Sequence, residues 1–171
     1  MKAGSDPAPG DQARVSVLVA VPPAEAFRVF TEDIDQWWQR GLKYRVAGRN
    51  RGFIRVEPGI GGRLYESFER GGETIVFDTG RVTTWDPPAR LVFEWRSVTF
   101  APVERTEVEV LFEPAPSGTL VTVTHRGWSN IRPDHPVRHG QDVAAFIRMM
   151  GLWWGGLMDS MRGHIATTRP H

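Results

Sequence analysis

The C-terminal quarter of the chain holds one long apolar stripe, and it leaves few folds open. On a helix of about 3.6 residues per turn, Val143, Ile147, Met150, Trp154, Leu157, Met161 and Ile165 fall on one line, with Phe146 and Met158 widening it. Arg148, Gly155, Asp159 and Arg162 lie opposite, while Met149, Trp153, Gly156 and Gly163 fall on a flank. The cap and turn residues of "RPDHPVRHGQD" precede it, so a helix is expected over 141–166. Within it, "GLWWGGLMDS" sets two tryptophans among glycines, each of which costs a helix interior about 1 kcal/mol relative to alanine. Packing on a large surface must therefore hold this helix, with Trp154 aimed at that surface.

The surface is supplied upstream by runs of alternating residues. "RVSVLVAV" places Val15, Val17, Val19 and Val21 on one face, as in an edge or barrel-start strand. Two short helices follow: "PPAEAFRVFTE", with proline at its start, and "DIDQWWQRG", begun by Asp33 or Asp35 and stopped by Gly41. From about residue 53 short β-type runs alternate with turns. Gly71-Gly72 reads as a hairpin, and "GIGGR" at 59–63 as a turn. Asp86-Pro87-Pro88 precedes a strand with Leu91, Phe93 and Trp95 on one face; Val108, Val110 and Phe112 share a face of the next, and Ser117-Gly118 turns into the last. Consecutive antiparallel strands need a cover for their apolar face, and the long helix is the one element of sufficient length. The expected architecture is α+β, a curved antiparallel sheet wrapped around a long C-terminal helix, with two short helices after the first strand.

Size and composition narrow the function. The 171 residues, 40% hydrophobic and 24% charged, suit one domain, expected over 14–166 between a flexible tail at 1–13 and a short tail at 167–171. There is no cysteine, hence no disulfide or thiolate chemistry. The first residues lack an apolar signal-peptide core, and "VAAFIRMMGLWWGGLM" is too short for a membrane span and carries Arg148. A cytoplasmic protein is expected. The net charge of +1, with both signs interleaved, leaves no footprint for nucleic acid.

Four stretches carry a family resemblance: "VAVPPAEAFRVFTE", "GGRLYE", "GRVTTWDPPARLVFEW" and "GTLVTVTHRGW". In this order, over about residues 14–166, the chain resembles the START-like helix-grip superfamily, also called SRPBCC. Within it the chain is most similar to homologues of the activator of the ninety-kilodalton heat-shock protein's ATPase. The resemblance implies a cavity between sheet and long helix that takes apolar or amphipathic molecules, lipid-like or polyketide-like. It also brings in cyclase- or hydrolase-like enzymes and chaperone-associated interaction modules, among which a shared fold does not choose.

The candidate ligand-binding residues are Trp37, Trp38, Phe77, Phe93, Trp95, Phe112, His125, Phe146, Met150 and Trp154, which converge if the helix lies on the sheet; Trp128 belongs to the same aromatic set. Trp37 and Trp38 are expected near the entrance. The same rings could equally fill the space as core. No catalytic constellation is legible; His125 and Glu66 are the groups that could move a proton. His125 shares the inward parity of Val121 and Val123. Glu66 shares that of Leu64 and Phe68; turned inward it needs a partner, with Arg81 and Arg96 at hand, and turned outward it is solvated. His135 and His139 have i, i+4 spacing, but Pro136 and Gly140 make this stretch a helix entry instead and no third ligand is placed, so no metal is expected. No cofactor motif is present and no cofactor is expected. The expected partner is a small hydrophobic ligand; Leu152, Gly156 and Gly163 on the helix exterior leave a homodimer contact open, and the family resemblance leaves open a chaperone partner.

Overall fold

A computed structural model describes residues 12–96, 100, 104–128, 131, 135 and 142–168. The elements are β1 (Gln12–Val19), α1 (Pro23–Glu32), α2 (Ile34–Trp37), β2 (Gly52–Val56), β3 (Arg63–Arg70), β4 (Glu73–Asp86), β5 (Arg90–Trp95), β6 (Thr106–Ala115), β7 (Gly118–Arg126) and α3 (Val143–Thr168). This is the expected α+β helix-grip order. β1 begins two residues before the expected boundary, and α3 runs two residues past it.

The seven strands form one antiparallel sheet in the order β1-β7-β6-β5-β4-β3-β2. Six are a meander, and β1 closes onto β7 with Val15 opposite Val123 and Val17 opposite Val121. Gly71 and Gly72 both take positive φ, 60° and 81°, which a two-residue hairpin of matching twist requires. Irregularities between Leu64 and Tyr65 and between Val82 and Thr84 interrupt the ladders around β4 and bend it, so the sheet curls.

Alternation decides which side faces inward. Leu64, Glu66 and Phe68 of β3 are buried, as are Val108, Val110 and Phe112 of β6. The cover is shared more than the sequence predicts. The backbone of α3 runs closest to β1, while α1 and α2 lie against β2 and β6. Toward the other strands α3 reaches through side chains: Trp154 meets His125 of β7 and Trp95 of β5.

The second helix is shorter than expected. It ends at Trp37, since Trp38 turns to extended backbone (φ −70°, ψ 113°). That turn sends both indoles inward: Trp37 Nε1 donates to the Val29 carbonyl at 3.0 Å and Trp38 Nε1 to the Tyr44 carbonyl at 3.0 Å. Their place at an entrance is thereby corrected, for they are 1% and 2% exposed.

Candidate functional site

From Trp38 the chain makes a strap, residues 38–51, that returns across the flank of α3 before entering β2. Two buried charged side chains fix it. Arg45 donates to the Asp35 carboxylate at 2.7 Å and to the carbonyls of Asp35, Gln39 and Trp38. Asp35 in turn accepts the Ile54 amide at 3.0 Å, tying the strap to the sheet edge. Glu66, 3% exposed, accepts the backbone amides of Val46 and Ala47 at 2.8 and 3.1 Å. Glu66 is thus turned inward, and these bonds go to backbone amides where the sequence offered Arg81 or Arg96; Arg81 instead donates to the Gly61 carbonyl.

The other side of the strap, together with the end of α2, grips α3. Trp153 Nε1 donates to the Lys43 carbonyl at 2.6 Å, Gln39 Nε2 to the Gly156 carbonyl at 3.0 Å, and Ser160 Oγ to the Trp37 carbonyl at 2.6 Å. A Cβ on Gly156 would stand 2.5 Å from the Tyr44 hydroxyl, so Gly156 makes room for the strap and is removed from the outer surface on which the sequence placed it. Gly151, Gly155 and Gly163 have open space beside them.

Behind the strap lies a continuous aromatic cluster. Trp38 meets Trp37, Trp95, Trp153 and Trp154 at ring separations of 5.6, 6.0, 5.8 and 5.7 Å. Trp95 meets Trp153 at 5.8 Å and Trp154 at 6.2 Å, and Tyr44 lies 5.3 Å from Trp153. Most contacts are edge-to-face or tilted, the arrangement the ring quadrupoles favour. Of the sequence-predicted ligand residues, Trp37, Trp38, Phe93, Phe112, His125, Phe146, Met150 and Trp154 are all buried in the core. Trp95 is only half-buried, and so is Phe77, which stands opposite Glu66 and outside the cluster. Phe112 packs among Phe27 and Phe30, and Phe146 on Trp128.

His125 has no exposure, and both its nitrogens are bonded. Trp154 Nε1, which can only donate, reaches Nδ1 at 3.1 Å. Nδ1 is therefore the lone-pair nitrogen and Nε2 carries the proton, which it donates to Thr106 Oγ1 at 2.6 Å. Burial pushes the imidazole down to about 3, so it stays neutral at physiological pH. An acid–base role would require it to surrender one of these bonds.

His139 lies outside the described residues. His135 is buried beside Glu104 at 3.5 Å and against the Phe100 ring. Among the described residues no group of three or more metal-ligating side chains comes together, and no helix is long and apolar enough to cross a membrane. Two open clefts, of about 280 and 480 Å³, share Thr83 and Glu94; one also takes Arg105, Thr106, Glu107 and Arg126, the other Asp78, Arg81 and Arg96. Arg81, Glu94, Glu107 and Arg126 are register neighbours across four strands, on the face turned away from Val82, Phe93 and Val108. These clefts therefore belong to the convex, charged side of the sheet.

The part of the aromatic cluster that solvent reaches is a rim of half-buried Tyr44, Trp95 and Trp153, extended along α3 by Ile147 and Met149. Lys43 borders it, its ammonium 5.3 Å from the centre of the Tyr44 ring. The sequence reading missed Tyr44 and Lys43 and put Trp153 on a flank. Its one signal was the Trp153-Trp154 pair, since neighbours on a helix point about 100° apart and cannot both face the sheet.

A curled seven-stranded sheet closed by one long helix, with an aromatic interior, defines a START-like helix-grip domain. The family model described as Activator of Hsp90 ATPase homolog 1-like protein matches residues 20–150, and the chain belongs to that family. Solved structures agree in fold. A Staphylococcus aureus protein of unknown function superposes with a TM-score of 0.66 at 16% identity, covering 92% of this chain and 94% of its own. The Aha1 dimer from Colwellia psychrerythraea gives 0.59 at 14%, covering 90% and 95%. DynU16, from the dynemicin biosynthetic locus, gives 0.59 at 20%, covering 94% of this chain and 49% of its own. No curated protein matches the chain by sequence.

Proposed function

We propose that the chain binds a small amphipathic molecule, lipid-like or polyketide-like, whose apolar body lies on the Tyr44–Trp95–Trp153 rim, and that it does so in the cytoplasm. The observation that carries this reading is the partial exposure of Trp95 and Trp153 beside sealed Trp38 and Trp154. Large aromatic faces left open on a rigid backing gain from covering by an apolar surface, at roughly 25 cal/mol per Å² buried. Lys43 at the border suits an acidic or strongly polar head group. Trp38, Phe93, His125 and Trp154 back the rim rings directly, Trp37, Phe112, Phe146 and Met150 belong to the buried core beyond them, and Phe77 is half-buried on the sheet outside the cluster. DynU16, from the dynemicin biosynthetic locus, shares the fold on which such a site would be built.

A carrier or binding role fits better than acid–base catalysis, because His125 and Glu66 are both committed to structural hydrogen bonds. The family supports a second reading, association with a chaperone.

Native mass spectrometry of freshly purified chain tests the proposal, with Trp153→Ala beside it. The expected result is an extra mass released on denaturation from the wild type and reduced at least tenfold in the variant. Absence of any retained mass, together with no saturable uptake of an added fatty acid or aromatic amphiphile, would overturn it.

A further inference from the structure

We propose that the outer face of α3 is a self-association surface on which two copies of the chain pack their helices antiparallel, about a two-fold axis between residues 153 and 154. Leu152 is 78% exposed at the middle of the helix, the one large apolar side chain on a face that includes exposed Arg148 and Asp159. Arg148, Leu152, Gly155, Asp159, Arg162 and Ala166 follow steps of four, three, four, three and four, the spacing of a seam between two packed helices.

The seam is complementary to itself. An isologous interface pairs residues whose numbers sum to one constant. Here that constant is 307, twice the axis position, and it sets Leu152 against Gly155 of the second copy and Arg148 against its Asp159. The protruding leucine meets a glycine whose Cβ position is open space, and each arginine meets a carboxylate. A parallel arrangement would set Arg148 on Arg148 and Leu152 on Leu152, which the charges oppose. Asp159 already holds Arg162 at 3.1 Å, and both are more than half exposed, so the carboxylate stays open to a second cation. The rim of Tyr44 and Trp153 lies on the flank of the helix and stays free.

One helix pair makes a small interface, so the association is weak, with a dissociation constant on the order of 10–100 μM. Sedimentation equilibrium of the full chain from about 1 μM to 1 mM tests it, with circular dichroism to check each variant's fold. Leu152→Asp, Arg148→Asp and Asp159→Arg are each expected to weaken association about tenfold or more, and the double variant R148D/D159R to return it to within about threefold of wild type. In one chain these two residues are about 16 Å apart along the helix, so recovery can only arise between chains. A chain that stays monomeric at 1 mM overturns the proposal, as does a dimer indifferent to Leu152→Asp or one in which the double variant is no better than the singles.

Discussion

Trp154 donates its indole proton to Nδ1 of His125 at 3.1 Å, and this one bond joins the middle of α3 to β7, the strand between β1 and β6. Because an indole cannot accept, the bond also fixes the tautomer, and Thr106 holds the other nitrogen. A buried imidazole with both nitrogens occupied is a structural strut, and it explains why Trp154 sits at one depth in the interior.

The strut has a pH signature. In the unfolded chain the imidazole takes its proton near 6.5, and in the fold only near 3. Between those values the unfolded state binds more protons, so stability rises with pH across the window and is lost as pH falls from 6.5 toward 3, by up to about 1.4 kcal/mol per pH unit. Urea unfolding at several pH values should show this slope in the wild type and its loss in His125→Gln. NMR should find the ring neutral, with the proton on Nε2, at pH 5. An imidazolium at that pH contradicts the assignment.

The glycines of α3 separate into two kinds. Gly156→Ala drives a methyl against the Tyr44 hydroxyl and should destabilise by about 1–3 kcal/mol, since the strap must shift. Gly151→Ala meets open space and should stabilise by about 0.4–1 kcal/mol through helix propensity and unfolded-state entropy. Thermal or denaturant unfolding of the two single variants reads the opposite signs.

Arg45 is the pin of the strap. Arg45→Met leaves the Trp38, Gln39 and Asp35 carbonyls without their guanidinium donor, and should cost about 2–4 kcal/mol. Hydrogen exchange should also show the Trp153 indole proton, held by the Lys43 carbonyl, losing protection before the sheet amides do. Equal loss everywhere would mean that the strap is no separate unit.

The parts of this molecule legible in the sequence are those with a period. Leu91 and Phe93 alternate onto one face, Gly71-Gly72 marks its turn by conformational need, and Phe146, Met150, Trp154, Leu157, Met158, Met161 and Ile165 of the α3 stripe are buried as their 3.6-residue spacing requires, with Ile147 only partly so. The strap "QRGLKYRVAGRN" has no period and reads as polar loop. Its burial of Arg45 depends on backbone carbonyls, which carry no sequence signature, and its contact with Gly156 lies more than 100 residues away along the chain. Tyr44 and Lys43 of the rim were hidden for the same reason, since both belong to the strap, whereas Trp95 was legible from its strand. Glu66 had a readable parity, but its partners are amides of the strap and so were unreadable.

The experiment to do first is a 1H–15N NMR titration with 1-anilinonaphthalene-8-sulfonate, an aromatic amphiphile with an acidic head, following the seven tryptophan indole signals. Rim binding is expected to give saturable shifts largest at Trp95 and Trp153, smaller ones at Trp38 and Trp154 behind them, and none at Trp85, which packs on Phe27. Shifts absent from Trp95 and Trp153 at saturation, or confined to Trp85, would contradict a ligand site on this rim.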